Sequence, residues 1–338
     1  MRQLTMTEAR DLEWSDVPEP VLESAGQAVV RPLAVALCDL DQPIIRGEAP
    51  VPGPIALGHE CVAEVVEVGD QVSGAQAGDV VSVPFQISCG DCGACRRGLT
   101  GNCESVPPHS MYGFGVVGGA WGGALSDLLR VPFADAMLVP VPDGLEPVSV
   151  ASVSDNVVDG WRTVAPGLDE RPKAPVLVVG GGALSIALYA VDAAVVLGAE
   201  RVTYIDTDPA RLGIAEELGA EVVEGPPPRS HGSYPLSVDA SSTLEGLHCA
   251  LRSTEPGGRC TSVGIIYEPE SALPLLEMYT RGVHFHIGRA MARADIPAVL
   301  ELAAAGRLRP ERVTSRVAGW DEALEAVQEP QTKLVISR

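Results

Sequence analysis

Apolar residues change their pattern partway along the 338-residue chain. Before Ala165-Pro166 they come in short valine-rich runs broken by glycine or proline, which predicts strands. Ala28–Val35, Val62–Val68, Asp79–Val83 and Ala136–Val141 are the expected strands, in a compact β-barrel-like domain with an excursion over residues 89–110. Beyond that point strand-length and helix-length runs alternate. Val176–Val179, Arg201–Ile205, Val222-Val223, Ser237–Asp239, Arg259–Gly264 and His284–Ile287 read as strands, and Ala183–Leu197, Pro209–Leu218 and Thr243–Arg252 as helices. Such alternation implies a parallel sheet with helices on both faces. The tail carries expected helices at Ala294–Ala305 and Asp321–Gln328 and a closing strand at Lys333–Ser337. Pro226–Pro228 reads as a loop, and no internal repeat interrupts the scheme.

A chain of this length exceeds what one hydrophobic core serves, so two domains are expected. Apolar residues make up 46% of it, too many for disorder. The formal net charge of −21 repels nucleic acid, and Arg96-Arg97 is the nearest thing to a basic patch. No nucleic-acid partner is expected. The opening residues, MRQLTMTEARDLEW, place charges where a secretory signal needs an apolar stretch. The longest apolar tract, Ala187–Leu197, is interrupted by Asp192 and falls short of the about eighteen residues of a membrane span. The expectation is a soluble cytoplasmic protein without a membrane partner, its eight cysteines reduced.

Four of those cysteines, Cys89, Cys92, Cys95 and Cys103, follow the spacing C-x2-C-x2-C-x7-C. Gly90 and Gly93 let the backbone fold around one ion, and a closed set of four thiolates suits structural zinc. Disulfides would need an oxidising compartment. An iron–sulfur cluster usually has its last cysteine nearer and followed by proline, whereas Glu104 follows Cys103.

Val176-Leu-Val-Val-Gly-Gly-Gly-Ala-Leu-Ser185 reads as a strand, a glycine turn and a helix start. Gly180 is expected to permit the tight turn and Gly182 to let a pyrophosphate approach the backbone, although Ser185 replaces the third glycine of G-x-G-x-x-G. Asp206 ends the next strand, 24 residues after Gly182, where an acid binds the adenosine ribose and repels a 2′-phosphate. NAD is therefore the expected cofactor. Ala183, Leu184, Arg211, Val263 and Gly264 join Gly180, Gly182 and Asp206 as expected cofactor-binding positions.

Cys38 and Gly58-His59-Glu60, on the same chain as a nucleotide fingerprint and a cysteine lobe, read as ligands of a second zinc with an open position. Asp155 is the candidate third ligand, its competing role being a helix N-cap. Glu60 adjoins a ligand and is expected beside the site, able to swing in.

These motifs, with Cys38-Asp-Leu-Asp41, Val65-Val-Glu-Val-Gly69 and Trp121-Gly-Gly-Ala124 leading to Val131-Pro132, resemble the zinc-dependent alcohol dehydrogenases of the medium-chain dehydrogenase/reductase superfamily. The resemblance spans essentially the whole length. It implies a GroES-like catalytic domain over residues 1–152, a Rossmann domain over 153–292, and a return to the catalytic domain over 293–338. Asp155 is similar to the aspartate of the formaldehyde dehydrogenase branch, and Asp41 to the carboxylate that orients the metal-bound histidine. The family's proton relay is altered, because Leu40 and Pro43 stand where relatives carry a hydroxyl and an imidazole. Asp159 stands where many have threonine beside the nicotinamide, and is the candidate proton acceptor, with Asp39, Glu60 and water as alternatives.

The expected activity is hydride transfer between an alcohol, or its aldehyde or ketone, and NAD, in the cleft between the domains. A non-catalytic nucleotide-binding protein and a dismutase with tightly held cofactor are the rival readings. The resemblance also implies a homodimer or homotetramer pairing through His284–Ile287.

Overall fold

The computed structural model describes every residue of the chain except Ala9. Two compact units emerge: Met1–Val158 with Met291–Gly306 and Thr314–Arg338, and Asp159–Ala290 with Arg307–Val313.

The first unit is built on a seven-stranded sheet running Arg316–Gly319, Leu334–Ser337, Ala28–Ala36, Glu60–Val68, Val80–Val83 and Val139–Pro140, with Leu129–Val131 paired to Ala28–Ala36. Ala28–Ala36 is central, and its alanine and valine side chains are almost all buried. Pro32 has no N–H to donate, and the register against Glu60–Val68 slips just after it, between Pro32 and Ala34. A second, three-stranded sheet joins Arg2–Met6, Leu12–Asp16 and Ile55–Ala56. The expected strand Ala136–Val141 is only half right: Ala134–Met137 is a helical turn, and extended structure begins at Val139. Asp135 causes this by accepting the backbone N–H groups of Ser73 and Gly74 at 3.0 and 2.8 Å. The expected tail helix Asp321–Gln328 is likewise a 3-10 turn, Trp320–Glu322, followed by the short helix Ala323–Ala326.

The second unit holds a six-stranded sheet, parallel throughout, in the order Glu221–Glu224, Val202–Asp206, Val176–Val179, Tyr234–Asp239, Thr254–Ser262, His284–Ile287. Numbered along the chain this is 3-2-1-4-5-6, the doubly wound Rossmann arrangement. Val176–Val179 is buried along its whole length, as a continuous run of Val and Leu in a sheet covered on both faces requires. The chain order reverses between it and Tyr234–Asp239, where open parallel sheets place their ligands. Asn156–Glu170, Leu184–Val196, Pro209–Leu218 and Leu244–Ser253 are the principal helices. Leu275–Arg281 has no buried residue, so its sequence carries no amphipathic signal. Among the described residues no helix is long and apolar enough to cross a membrane.

Candidate metal and cofactor sites

Three backbone segments of the first unit bring Cys38, His59, Glu60 and Asp155 together, with one ligand atom of each within 4.8 Å of the others. Cys38 follows the strand Ala28–Ala36, and its N–H donates to Asp41 Oδ2 at 2.8 Å. His59 precedes Glu60–Val68 and is reached through Gly58, whose φ of +85° and whose closeness to Leu125 N (2.9 Å from an added Cβ) leave no room for a side chain. Asp155 ends the 3-10 turn Ala151–Ser154.

The imidazole of His59 is fully buried, lying 5.6 Å from the ring of Phe85 and 4.9 Å from that of Phe114. Its Nδ1 is 3.6 Å from Asp41 Oδ1 and its Nε2 is 3.3 Å from Asp155 Oδ2, yet among the described residues neither nitrogen has a hydrogen-bond partner. A buried imidazole without partners on both nitrogens is costly. A metal on Nε2, with Asp41 orienting the ring through Nδ1, resolves it. Charge agrees. Burial, with Asp155, Glu60 and Asp41 close by, pushes the Cys38 thiol well above its usual range. Burial also opposes a charged His59, but Asp41 and Asp155 outweigh it and raise the imidazole to about 9. A dication relieves that accumulation of negative groups, and thiolate, imidazole and carboxylate are ligands zinc accepts. Cys38, His59 and Asp155 therefore fit a three-ligand zinc.

Glu60 is held otherwise. Lys333 Nζ donates to both of its oxygens, at 2.8 and 3.0 Å, and to the carbonyl of Leu37 at 2.7 Å, with both side chains wholly buried. Lys173 and Lys333 are the chain's two lysines, against 24 Lys and Arg together. That scarcity was the one sequence signal that could have singled Lys333 out. Asp159, buried in the helix Asn156–Glu170, accepts from Arg162 Nε at 2.5 Å, and Arg162 also donates to the carbonyl of Gly288.

The four cysteines of the lobe also converge, and all are free thiols. Backbone N–H groups point at sulfur: Cys92 N to Cys89 Sγ at 3.4 Å, Cys95 N to Cys92 Sγ at 3.5 Å, Glu104 N to Cys92 Sγ at 3.3 Å and Cys89 N to Cys103 Sγ at 3.4 Å. Partial burial opposes ionisation of Cys89, but donors led by Ser105 Oγ bring it down to about 6. Donors aimed at sulfur are what thiolates on a metal need, so the lobe fits a closed zinc site.

In the second unit, Gly180 N donates to Ile205 O at 2.8 Å, Gly182 N to Ser241 O at 2.9 Å and Ala183 N to Ala240 O at 3.0 Å. The left-handed residue of this turn is Gly181, with φ of +148°, so Gly180 is needed for another reason than the expected tight turn. An added Cβ on Gly180 would stand 2.5 Å from Tyr204 Oη and 2.6 Å from Asp206 Oδ2. Asp206 is crowded. Oδ1 accepts from Thr207 N (2.6 Å), Asp208 N (3.0 Å) and Arg211 Nη2 (2.7 Å), and Oδ2 from Arg211 Nε (2.8 Å) and the buried Tyr204 hydroxyl. Burial favours its neutral form, but these donors, Arg211 first, carry it below the usual carboxylate range. Leu184 opens the helix Leu184–Val196. Val263 and Gly264 both donate to Asp239 O, at 2.9 and 3.4 Å.

Comparison with known proteins agrees with this chemistry. Residues 24–143 match the alcohol dehydrogenase GroES-like domain and residues 185–305 the zinc-binding dehydrogenase domain. The probable zinc-binding alcohol dehydrogenase of Mycobacterium tuberculosis is 30% identical over 96% of this chain and 83% of its own length. The glutathione-independent formaldehyde dehydrogenase of Pseudomonas aeruginosa is 32% identical, over 64% of this chain and 55% of that protein. The solved structure of alcohol dehydrogenase TADH from Thermus sp. ATN1 superposes with a TM-score of 0.91 at 32% identity, covering 100% of this chain and 99% of that one. The non-catalytic and dismutase readings are not favoured by these matches. The chain belongs to the zinc-binding alcohol dehydrogenases of the medium-chain dehydrogenase/reductase superfamily, and is a zinc-dependent oxidoreductase.

Proposed function

We propose that the protein oxidises an alcohol, or reduces the matching aldehyde or ketone, with NAD as hydride carrier. The observation that carries this is His59, buried beside Cys38 and Asp155 with both ring nitrogens lacking a hydrogen-bond partner among the described residues. Zinc held by Cys38, His59 and Asp155 would supply Lewis acidity to the substrate oxygen. Asp41 orients His59, Phe85 and Phe114 keep water from its ring, and Lys333 holds Glu60 beside the ligands. Gly182 gives the pyrophosphate access at the start of the helix, and Ala183, Leu184, Val263 and Gly264 line the cofactor's path. Asp206 bonds the adenosine ribose, with Arg211 giving up part of its hold, and its negative charge selects NAD over NADP.

Leu40 and Pro43 carry no proton, so we assign its removal to Asp159, whose carboxylate is held in place by Arg162 Nε. The same reading makes the protein a cytoplasmic homodimer or homotetramer. The pairing is supported by the open edge of His284–Ile287, where Ile287 is 70% exposed.

A screen of primary and secondary alcohols and carbonyls with NAD and NADP, followed by absorbance of the reduced cofactor, tests the reading. Turnover with NAD and little with NADP is expected. Equal use of both would remove the role given to Asp206, and no turnover with either would remove the proposal.

A further inference from the structure

Ser242 adopts φ of +57°, a left-handed conformation that an L-residue with a side chain rarely takes. Elsewhere in this unit such corners are glycine, as at Gly198 and Gly219, or lie on an exposed turn, as at Lys173. Ser242 is instead half-buried, in the bend between a sheet strand and the helix Leu244–Ser253. It follows Tyr234–Asp239, the Gly180–Gly182 turn follows Val176–Val179, and these are the two adjoining strands between which the chain order reverses. An added Cβ on Gly182 would lie 2.7 Å from Ser242 Cβ and 2.8 Å from its Oγ. One on Gly264 would lie 2.6 Å from Ser242 N and 3.3 Å from Oγ. Two glycines therefore make room for one strained serine.

The fold itself has no use for that hydroxyl. Ser241 Oγ donates to Asp239 Oδ1 at 2.6 Å, and Thr243 Oγ1 accepts from Gly246 N at 3.1 Å as the cap of the helix Leu244–Ser253. Ser242 Oγ, half-buried between them, has no hydrogen bond among the described residues. Glycine at this position would remove the strain without breaking a hydrogen bond among the described residues. What serine adds is a hydroxyl fixed against Gly182, at the place where a dinucleotide backbone approaches the sheet.

We propose that Ser242 is a further cofactor-binding residue, its hydroxyl bonding an oxygen of the nicotinamide-side phosphate or ribose of the dinucleotide. This rests on the nicotinamide-dinucleotide reading above. It differs from a structural role in sign, because the variant that relaxes the fold should weaken the complex.

The test titrates NAD, ADP-ribose and AMP onto the full chain, unaltered and as Ser242→Gly and Ser242→Ala, beside thermal melts. Both variants should bind NAD and ADP-ribose about five- to tenfold more weakly, the worth of one hydrogen bond. AMP, which carries only the end that meets Asp206, should bind unchanged, and Ser242→Gly should melt at or above the unaltered temperature. Unchanged NAD affinity in both variants overturns the inference. So does an equal loss for AMP and NAD, which would mark general damage to the site. Failure of the unaltered chain to bind NAD overturns the cofactor reading and this inference with it.

Discussion

His59 stands between Asp41 and Asp155, and those carboxylates, against the effect of burial, hold its proton up to about pH 9. In metal-depleted protein the charged imidazole stabilises the fold in full below its unfolded value of 6.5, and that contribution disappears as pH rises through about 9. Zinc needs the neutral ring, so its binding expels the proton. Melting temperatures of chelated protein should fall between those limits, while zinc-loaded protein holds steady or gains. A flat profile after chelation would show that the three groups do not share one site. Asp159 gives a second residue-scale test. If it receives the alcohol proton, Asp159→Asn should lower turnover about tenfold to a hundredfold and remove the acidic limb of the pH–rate profile. An unchanged rate and profile would leave water as the carrier. At this scale the sequence was legible where residues sit in a motif, as with Cys38, His59 and the four lobe cysteines. Lys333, Tyr204 and Ser242 were not, because each matters through a contact that only the folded chain creates: an ion pair across 273 positions, a hydroxyl beneath Gly180, a corner between two glycines.

The elements divide by what holds them. Val176–Val179 and Pro209–Leu218 fall where the sequence pattern places them, since a buried apolar run or a proline start with a left-handed glycine end is a local signal. Ala134–Met137 escaped because Asp135 bonds a loop distant in sequence, Arg2–Met6 because its alternation is short, with only Leu4 and Met6 buried, and Leu12–Asp16 because none of its residues is buried. The cysteine lobe gathers four thiols around one point, where zinc would hold it together. It is anchored in the first unit through Gly101 N to Met291 Sδ at 3.3 Å and, beside it, Ala292 N to Gln86 Oε1 at 3.2 Å. Cys95→Ser should therefore lower the melting temperature by roughly 5 °C or more while turnover of the folded fraction persists, because a closed site contributes folding free energy and does not meet substrate. Retained melting with lost turnover would move the lobe into the chemistry.

At the scale of the molecule, the change from valine-rich runs to strand–helix alternation announced two architectures, and the structure has them as a mixed β unit and a doubly wound parallel one. Composition could not say how the tail is shared, since Arg307–Val313 belongs with the nucleotide unit while the flanking segments belong with the first. The two metal clusters lie in the first unit and are chemically different, one a closed set of thiolates and one a mixed set beside a buried histidine. The claim joining structure to activity is that Asp155 completes the second. Zinc content and turnover measured on the same preparation of Asp155→Ala decide it. The unaltered chain should carry about two zinc ions, and the variant about one, with its fold intact and turnover with NAD lost. A variant that keeps both ions and keeps turning over would contradict the assignment and the account built on it.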